Sequence, residues 1–206
     1  VLGRKAEITF DYYRTDFVNQ IVVDWENPRE VNFYNLKGES YANSFQAELS
    51  MHIIEGLDFR TAYKFYNVKT DYSYSVGKLD NPLIPKDRVF ANVSYETKRK
   101  DKGAQWKFDT TFNWLGEQRF PSTSGNPIAY QLPEKTPTVA TLNAQITKVF
   151  STSFELYLGG ENLTNEKQSD PILNSENPFE DTFDTTFVYG PIFGVSFYAG
   201  LRYKIN

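Results

Sequence analysis

The sequence contains no cysteine and only one histidine. The first absence excludes disulfides, thiolate nucleophiles and cysteine-ligated metals. The second leaves His52 as the single imidazole. A metal centre draws several converging ligands, so neither a metal site nor a cofactor is expected. No uninterrupted apolar run approaches the roughly 18–20 residues of a membrane helix, and mean hydropathy is negative. A helical span is thereby excluded, but a strand span is not. A barrel strand needs only about 9–11 residues and carries its apolar residues in alternation. Charge of one sign is also lacking: the net charge is −4, with acids and bases interspersed. Nucleic acid is therefore not an expected partner. The opening Val1-Leu2-Gly3-Arg4-Lys5 has no apolar stretch behind its charges and does not read as a signal peptide. Strand-like alternation begins almost at once, so the chain is expected to be part of a longer protein.

What the chain has in quantity is aromatic residues, 17 Phe, 14 Tyr and 3 Trp. These favour strands and gather at membrane interfaces. The dominant pattern is period two, which places every second side chain on one face of a strand. Phe45, Ala47, Leu49, Met51 and Ile53 alternate with Gln46, Glu48, Ser50 and His52. Trp106, Phe108, Phe112 and Trp114 oppose Lys107, Asp109, Thr111 and Asn113. The same rhythm predicts eight strands, at 5–24, 31–54, 57–74, 87–98, 104–118, 137–149, 153–164 and 194–206. The first, at about 3.3 Å per residue, would be about 66 Å long and project well above a membrane. Short connections at 54–56, 98–103 and 150–152 alternate with long ones at 25–30, 75–86, 119–136 and 165–193. Bacterial barrels alternate in this way, with the long loops outside the cell and the short turns in the periplasm. The fold class is therefore all-β, an antiparallel transmembrane β-barrel meander, with the C-terminus periplasmic. Two rival arrangements share the alternation: a complete eight-stranded barrel with a structural or adhesion role, and a soluble β-sandwich binding module.

The chemistry is expected at the loops. Exposed loops on a rigid scaffold are where binding resides. Trp25, Tyr72, Tyr74, Phe120, Tyr130, Phe179, Asp181, Asp184 and Tyr189 are the candidate ligand contacts, with Glu26, Glu180 and Phe183 beside them. Loop packing is an equal alternative for each. The longest loop, 165–193, is expected to be ordered and to pack towards the mouth with loop 119–136. The charges at Glu7, Asp11, Glu48, Arg60, Lys64, Lys107, Asp109, Glu155, Glu161, Arg202 and Lys204 are expected on one hydrated face, paired across strands. No carboxylate pair can be singled out for acid–base work, so no enzyme activity is expected. The glycine in Pro121-Ser122-Thr123-Ser124-Gly125-Asn126-Pro127 marks a turn-rich loop tip, not a phosphate cradle.

Two motifs carry a resemblance to a known family. Gly200, Tyr203 and Ile205 follow the spacing of the C-terminal signal read by the barrel-assembly machinery, with Asn206 one residue beyond the usual end. The run Leu158-Gly159-Gly160-Glu161-Asn162-Leu163-Thr164-Asn165 resembles the penultimate strand of TonB-dependent outer-membrane receptors. The phrases Asp11–Ile21 and Tyr198–Tyr203 resemble their strands too, in the style of Bacteroidota receptors. The resemblance implies a 22-stranded barrel around an N-terminal plug, with residues 1–206 supplying the last eight strands. The plug and its TonB box would lie outside this sequence. It further implies the TonB–ExbB–ExbD energising complex, outer-membrane lipid and an extracellular small-molecule ligand as partners, and allows a surface lipoprotein or larger membrane complex. The terminal region does not resemble the glycan-importing branch. An iron chelate, cobalamin or a metal complex is therefore the expected cargo.

Overall fold

A computed structural model describes residues 5–73 and 77–205. Eight strands form one antiparallel meander: β1 (Ala6–Phe17), β4 (Ser40–Ile54), β5 (Leu57–Thr70), β7 (Asp87–Glu96), β8 (Gln105–Leu115), β9 (Val139–Val149), β10 (Phe154–Glu161) and β11 (Ser196–Tyr203). A two-residue strand, β6 (Leu79–Asp80), adds to β5. Separately, β2 (Ile21–Asp24) and β3 (Asn32–Asn35) form a small hairpin. The connections 55–56, 97–104 and 150–153 lie at one end of the meander, and 18–39, 71–86, 116–138 and 162–195 at the other. The tightest turn depends on Gly56, whose φ is +78°. A Cβ there would run into the Glu96 carbonyl oxygen.

The expected continuous strands 5–24 and 31–54 are both broken. β1 ends at Phe17, and Asn19 takes a left-handed φ of 54°. The chain then leaves the sheet, forms the β2–β3 hairpin, and rejoins at Ser40. Composition hides this break, because Ile21, Val22 and Val23 favour strands as strongly as the residues of β1 do. With 12 residues, β1 is about 40 Å long rather than about 66 Å. Tilted near 45° it rises about 28 Å, close to the roughly 25 Å apolar band of a membrane barrel. The other six strands end within four residues of their expected limits.

The register sorts the side chains into two faces, since directly opposed residues share a face. One row runs Met51, Phe59, Val93, Thr110, Ala144, Gly160 and Phe197. The next runs Ile8, Leu49, Thr61, Ala91, Phe112 and Leu142. This face is apolar for several rows, then changes at both ends. Arg14, Asn43 and Asn67 mark the long-loop end. Lys148 marks the short-turn end, its ammonium 4.4 Å from the Trp106 ring centre. Trp106 and Trp114 therefore bracket the band. Eight residues of strand at about 3.4 Å, tilted 35–45°, give it a height of about 19–22 Å.

The opposite face is polar, as expected. Arg60 pairs with Glu48 at 2.7 Å and Lys107 with Glu96 at 2.9 Å. Arg202 pairs with Glu155, and His52 with Asp58. The Asn92 amide donates to Asp109 at 3.2 Å and to the Thr111 hydroxyl at 2.9 Å. Two tyrosines cover glycines here: Tyr157 lies over Gly200 and Tyr198 over Gly159, with the rings meeting edge to face at 6.3 Å. Gly200 thus has a local reason to be glycine, because a Cβ would displace the Tyr157 ring. Tyr203 opposes Phe154 on the apolar face, and Ile205 lies just past the end of β11.

β1 and β11 are the sheet's two edges and do not pair with each other. A complete eight-stranded barrel would pair them, and a β-sandwich would divide the strands into two packed sheets. Neither rival arrangement is present among the described residues. In lipid an unpaired edge leaves backbone groups unsatisfied, so immersion of this sheet requires further strands on both sides.

Candidate binding face

At the long-loop end the packing resembles that of a soluble protein. Val22 and Leu36 from the first loop are buried with Tyr72 from the second, flanked by Tyr34 and Leu79. Burial pushes the Tyr72 phenol up to about 12 and raises that of Tyr34. The Tyr34 hydroxyl donates to Asp24 at 2.7 Å, which pins β3 to β2.

A buried ion pair joins three of the loops. The Arg119 guanidinium forks onto Glu26, with the Nη1 contact at 2.8 Å. The two side chains keep only 13% and 4% of their accessibility. Glu26 also accepts the Ser122 N–H at 3.0 Å, and Arg119 Nε donates to the Asp80 carbonyl at 2.5 Å. The Leu83 N–H returns to the Arg119 carbonyl at 2.9 Å. Loops 18–39, 71–86 and 116–138 therefore meet at one node. Removing one partner of such a pair strands a buried charge, at a cost of about 3–5 kcal/mol.

The fourth loop is tied on by aromatics and amides. Phe120 meets Phe187 at 5.9 Å and Tyr189 at 5.7 Å, both edge to face. Gln118 donates to the Tyr189 carbonyl at 3.2 Å, and Gln168 to the Phe187 carbonyl at 2.8 Å. The loop's root is the Asn162-Leu163-Thr164-Asn165 run. The Asn162 amide donates to the carbonyls of Glu166 (2.7 Å) and Phe193 (3.1 Å), and its oxygen accepts the Glu166 N–H at 3.0 Å. Thr164 donates to the Ala140 carbonyl at 2.8 Å, and Asn165 accepts the Val195 N–H at 3.2 Å. Both asparagines have left-handed φ, 51° and 54°. The motif ends β10 and clamps the departing and returning strands together.

The structure disperses the candidate contacts. Tyr72 and Phe120 are buried in loop packing. Trp25, Tyr130 and Tyr189 are half-buried. Burial raises the Tyr189 phenol. Phe179 stands fully in solvent and Asp181 is exposed at the tip of a lobe closed by the Leu173–Asp184 bridge. Asp184 accepts from Thr186 at the base of that lobe. Tyr74 lies outside the described residues. Loop 165–193 does pack against loop 119–136, through the Phe120 cluster. Sequence reasoning missed Arg119, Gln118, Gln168 and Phe187. Their partners are distant in sequence, 93 residues away for Arg119, and no local spacing marks them.

Residues 2–163 match the TonB dependent receptor-like β-barrel family. The chain belongs to that family. Family membership places it in the outer membrane, and the family is one of receptor barrels. The fold is similar to that of the ferric-catecholate import receptor Fiu of E. coli K12 in its closed form, with a TM-score of 0.58 over 81% of this chain at 14% identity. The chain spans 22% of the length of that receptor. No curated protein matches the sequence.

Proposed function

We propose that this chain is barrel wall and extracellular loop platform for TonB-energised uptake of a scarce ligand such as an iron chelate, cobalamin or a metal complex. The two-faced sheet carries this reading: an apolar band of membrane height backed by a face of ion pairs and amides. The apolar face meets lipid. The polar face lines a hydrated lumen occupied by the plug. The four long loops face the cell exterior, with Trp25, Tyr130, Phe179, Asp181, Asp184 and Tyr189 as accessible candidate contacts. The short turns and the C-terminus face the periplasm, where Gly200, Tyr203 and Ile205 serve the barrel-assembly machinery. Ligand held by the loops and the plug apex passes inward when TonB, driven by ExbB–ExbD, displaces the plug. No covalent chemistry and no cofactor is involved. The loop side is also where a surface lipoprotein partner would dock.

The test is uptake by cells carrying the full-length receptor, with and without TonB. Competing iron chelates, cobalamin and oligosaccharides are supplied together. TonB-dependent uptake of a metal complex is expected. Import of oligosaccharide alone would overturn the ligand, and TonB-independent import would overturn the mechanism.

A further inference from the structure

At its short-turn end the apolar face of the sheet carries a single charge among the described residues. Lys148 stands in register between Trp106 of β8 and Leu156 of β10. Phe108 and Ile146 form the next row inward. On the turn side lie Phe150, Phe154 and Tyr203, with the Phe150 and Phe154 rings stacked at 5.5 Å and Tyr203 opposite Phe154. The same end of the face is completed by Ala6, Met51, Leu57 and Tyr95. Lys148 forms no ion pair and no side-chain hydrogen bond among the described residues. Its ammonium lies 4.4 Å from the Trp106 ring centre and 6.0 Å from that of Phe150. The Trp106 indole N–H, which can only donate, is likewise without a partner among the described residues. Two unsatisfied donors thus sit side by side on a surface that otherwise offers hydrocarbon and rings. At the long-loop end the same face satisfies its charges differently: Arg14 pairs with Asp16 at 2.6 Å, and Asp87 accepts from the Tyr63 hydroxyl. Past Lys148 the charge stays positive. The connection that leads into β8 holds Lys98, Arg99, Lys100 and Lys102 against Asp101. Glu55, in the neighbouring turn, is held by Lys98 at 3.1 Å.

We propose that Lys148 and Trp106 form a headgroup site for an anionic glycerophospholipid of the periplasmic leaflet. The ammonium pairs with the lipid phosphate, and the indole N–H donates to a phosphate or ester oxygen. Phe150 and Leu156 pack on the glycerol and the first acyl methylenes. A lone cation on a lipid face is unfavourable, and a phosphate supplies the countercharge that this end of the face lacks. The rings hold the ammonium in place by cation–π attraction. A headgroup with net negative charge is favoured over a zwitterionic one, because a choline cation would stand beside the basic connection 97–104 and be repelled. A lysine near a membrane surface contributes about 1 kcal/mol to attraction for anionic lipid, a factor of about five. The inference rests on the barrel-wall reading above and adds lipid selectivity to it.

Fluorescence quenching in the full-length receptor tests it. The receptor is placed in vesicles of equal parts phosphatidylglycerol and phosphatidylcholine, with bromine on the acyl chains of one lipid or the other. The Trp106 signal is the difference between the wild type and Trp106→Phe. Brominated phosphatidylglycerol is expected to quench it more strongly, corresponding to a local enrichment of about fivefold. Lys148→Gln should abolish the enrichment, and Lys148→Arg should keep it. Lys204→Gln, on the polar face, should leave it unchanged. Equal quenching by the two brominated lipids in the wild type would overturn the headgroup site. So would an enrichment that survives Lys148→Gln, or one that Lys204→Gln lowers as much. Quenching by neither lipid would overturn the lipid-facing wall itself.

Discussion

In the sheet, the large apolar side chains are the exposed ones: Ile8, Phe10, Phe197 and Leu201 each keep more than half of their accessibility. In the loops the order is reversed. Val22, Leu36, Tyr72, Phe120 and Phe187 are buried, and so is the Glu26 carboxylate. On the proposed reading the sheet has no core of its own because its apolar face is completed by lipid and its polar face by the contents of the lumen. The loops have no lipid to complete them, so they must bury their own aromatics and pair their own charges. The difference separates two kinds of stability in one chain. On that reading lipid and strand pairing hold the wall, and soluble-type packing holds the candidate binding face.

Substitutions confined to one region should show this separation. The largest effect is expected for Arg119→Met, which leaves Glu26 buried without its cation. A loss of about 3–5 kcal/mol should fall on the loops, read as proteolysis at 18–39 and 116–138, while the barrel itself stays assembled. Val93→Arg places a cation mid-band on the lipid face and should cost the barrel about 2–4 kcal/mol, measured by urea unfolding in vesicles. Its neighbour Ser94 opposes Asp58 and Asp109 on the polar face, so Ser94→Arg should be tolerated. Equal effects at these adjacent positions would erase the two-faced account.

A smaller effect is expected at high pH. The Tyr72 phenol is held up to about 12 by burial, against about 10 in an unfolded chain. Its contribution to loop stability is complete below pH 10 and lost as pH rises towards 12. Tyrosinate absorbance at 295 nm should show a late-titrating phenol that is absent from Tyr72→Phe. The smallest structural effect belongs to the lobe at the fourth loop's tip. Deleting 175–183 spares Phe187 and the Asn162 clamp, so assembly should be normal to within about 0.5 kcal/mol, while uptake of the native ligand falls. Normal uptake at normal surface abundance would make the lobe a spacer.

How far the sequence could be read follows from the same division. In the wall, one physical rule governs every residue: alternate side chains meet alternate environments. Phe108, Leu142 and Ile146 could therefore be assigned to one face, and Asp109, Glu155 and Arg202 to the other, from spacing alone. The rule fails after Phe17, where the chain leaves the sheet, because Ile21, Val22 and Val23 and then Phe33 and Tyr34 are strand-favouring residues on both sides of the turn and continue the strand-like composition. In the loops no such rule applies. Tyr72, Phe120 and Phe179 are all aromatics among turn residues, yet two are buried and one is fully exposed. Their fates depend on contacts between loops far apart in sequence. The Glu26–Arg119 node was illegible for that reason. The Asn162-Leu163-Thr164-Asn165 run was recognised by likeness, and its hydrogen bonds supply the physical reason: two asparagines in left-handed turns close the root of the longest loop.

The two-faced wall is tested most directly by spin-label accessibility along β9. Residues 1–206 contain no cysteine, so each residue from 140 to 147 can be labelled singly through an introduced cysteine in a full-length receptor whose cysteines elsewhere have been replaced by serine, held in vesicles. Collision with oxygen, which partitions into lipid, is compared with collision with a polar nickel chelate. The account predicts a period of two, with positions 140, 142, 144 and 146 lipid-accessible and 141, 143, 145 and 147 not. Uniform accessibility, or the same period with its phase reversed, would contradict it.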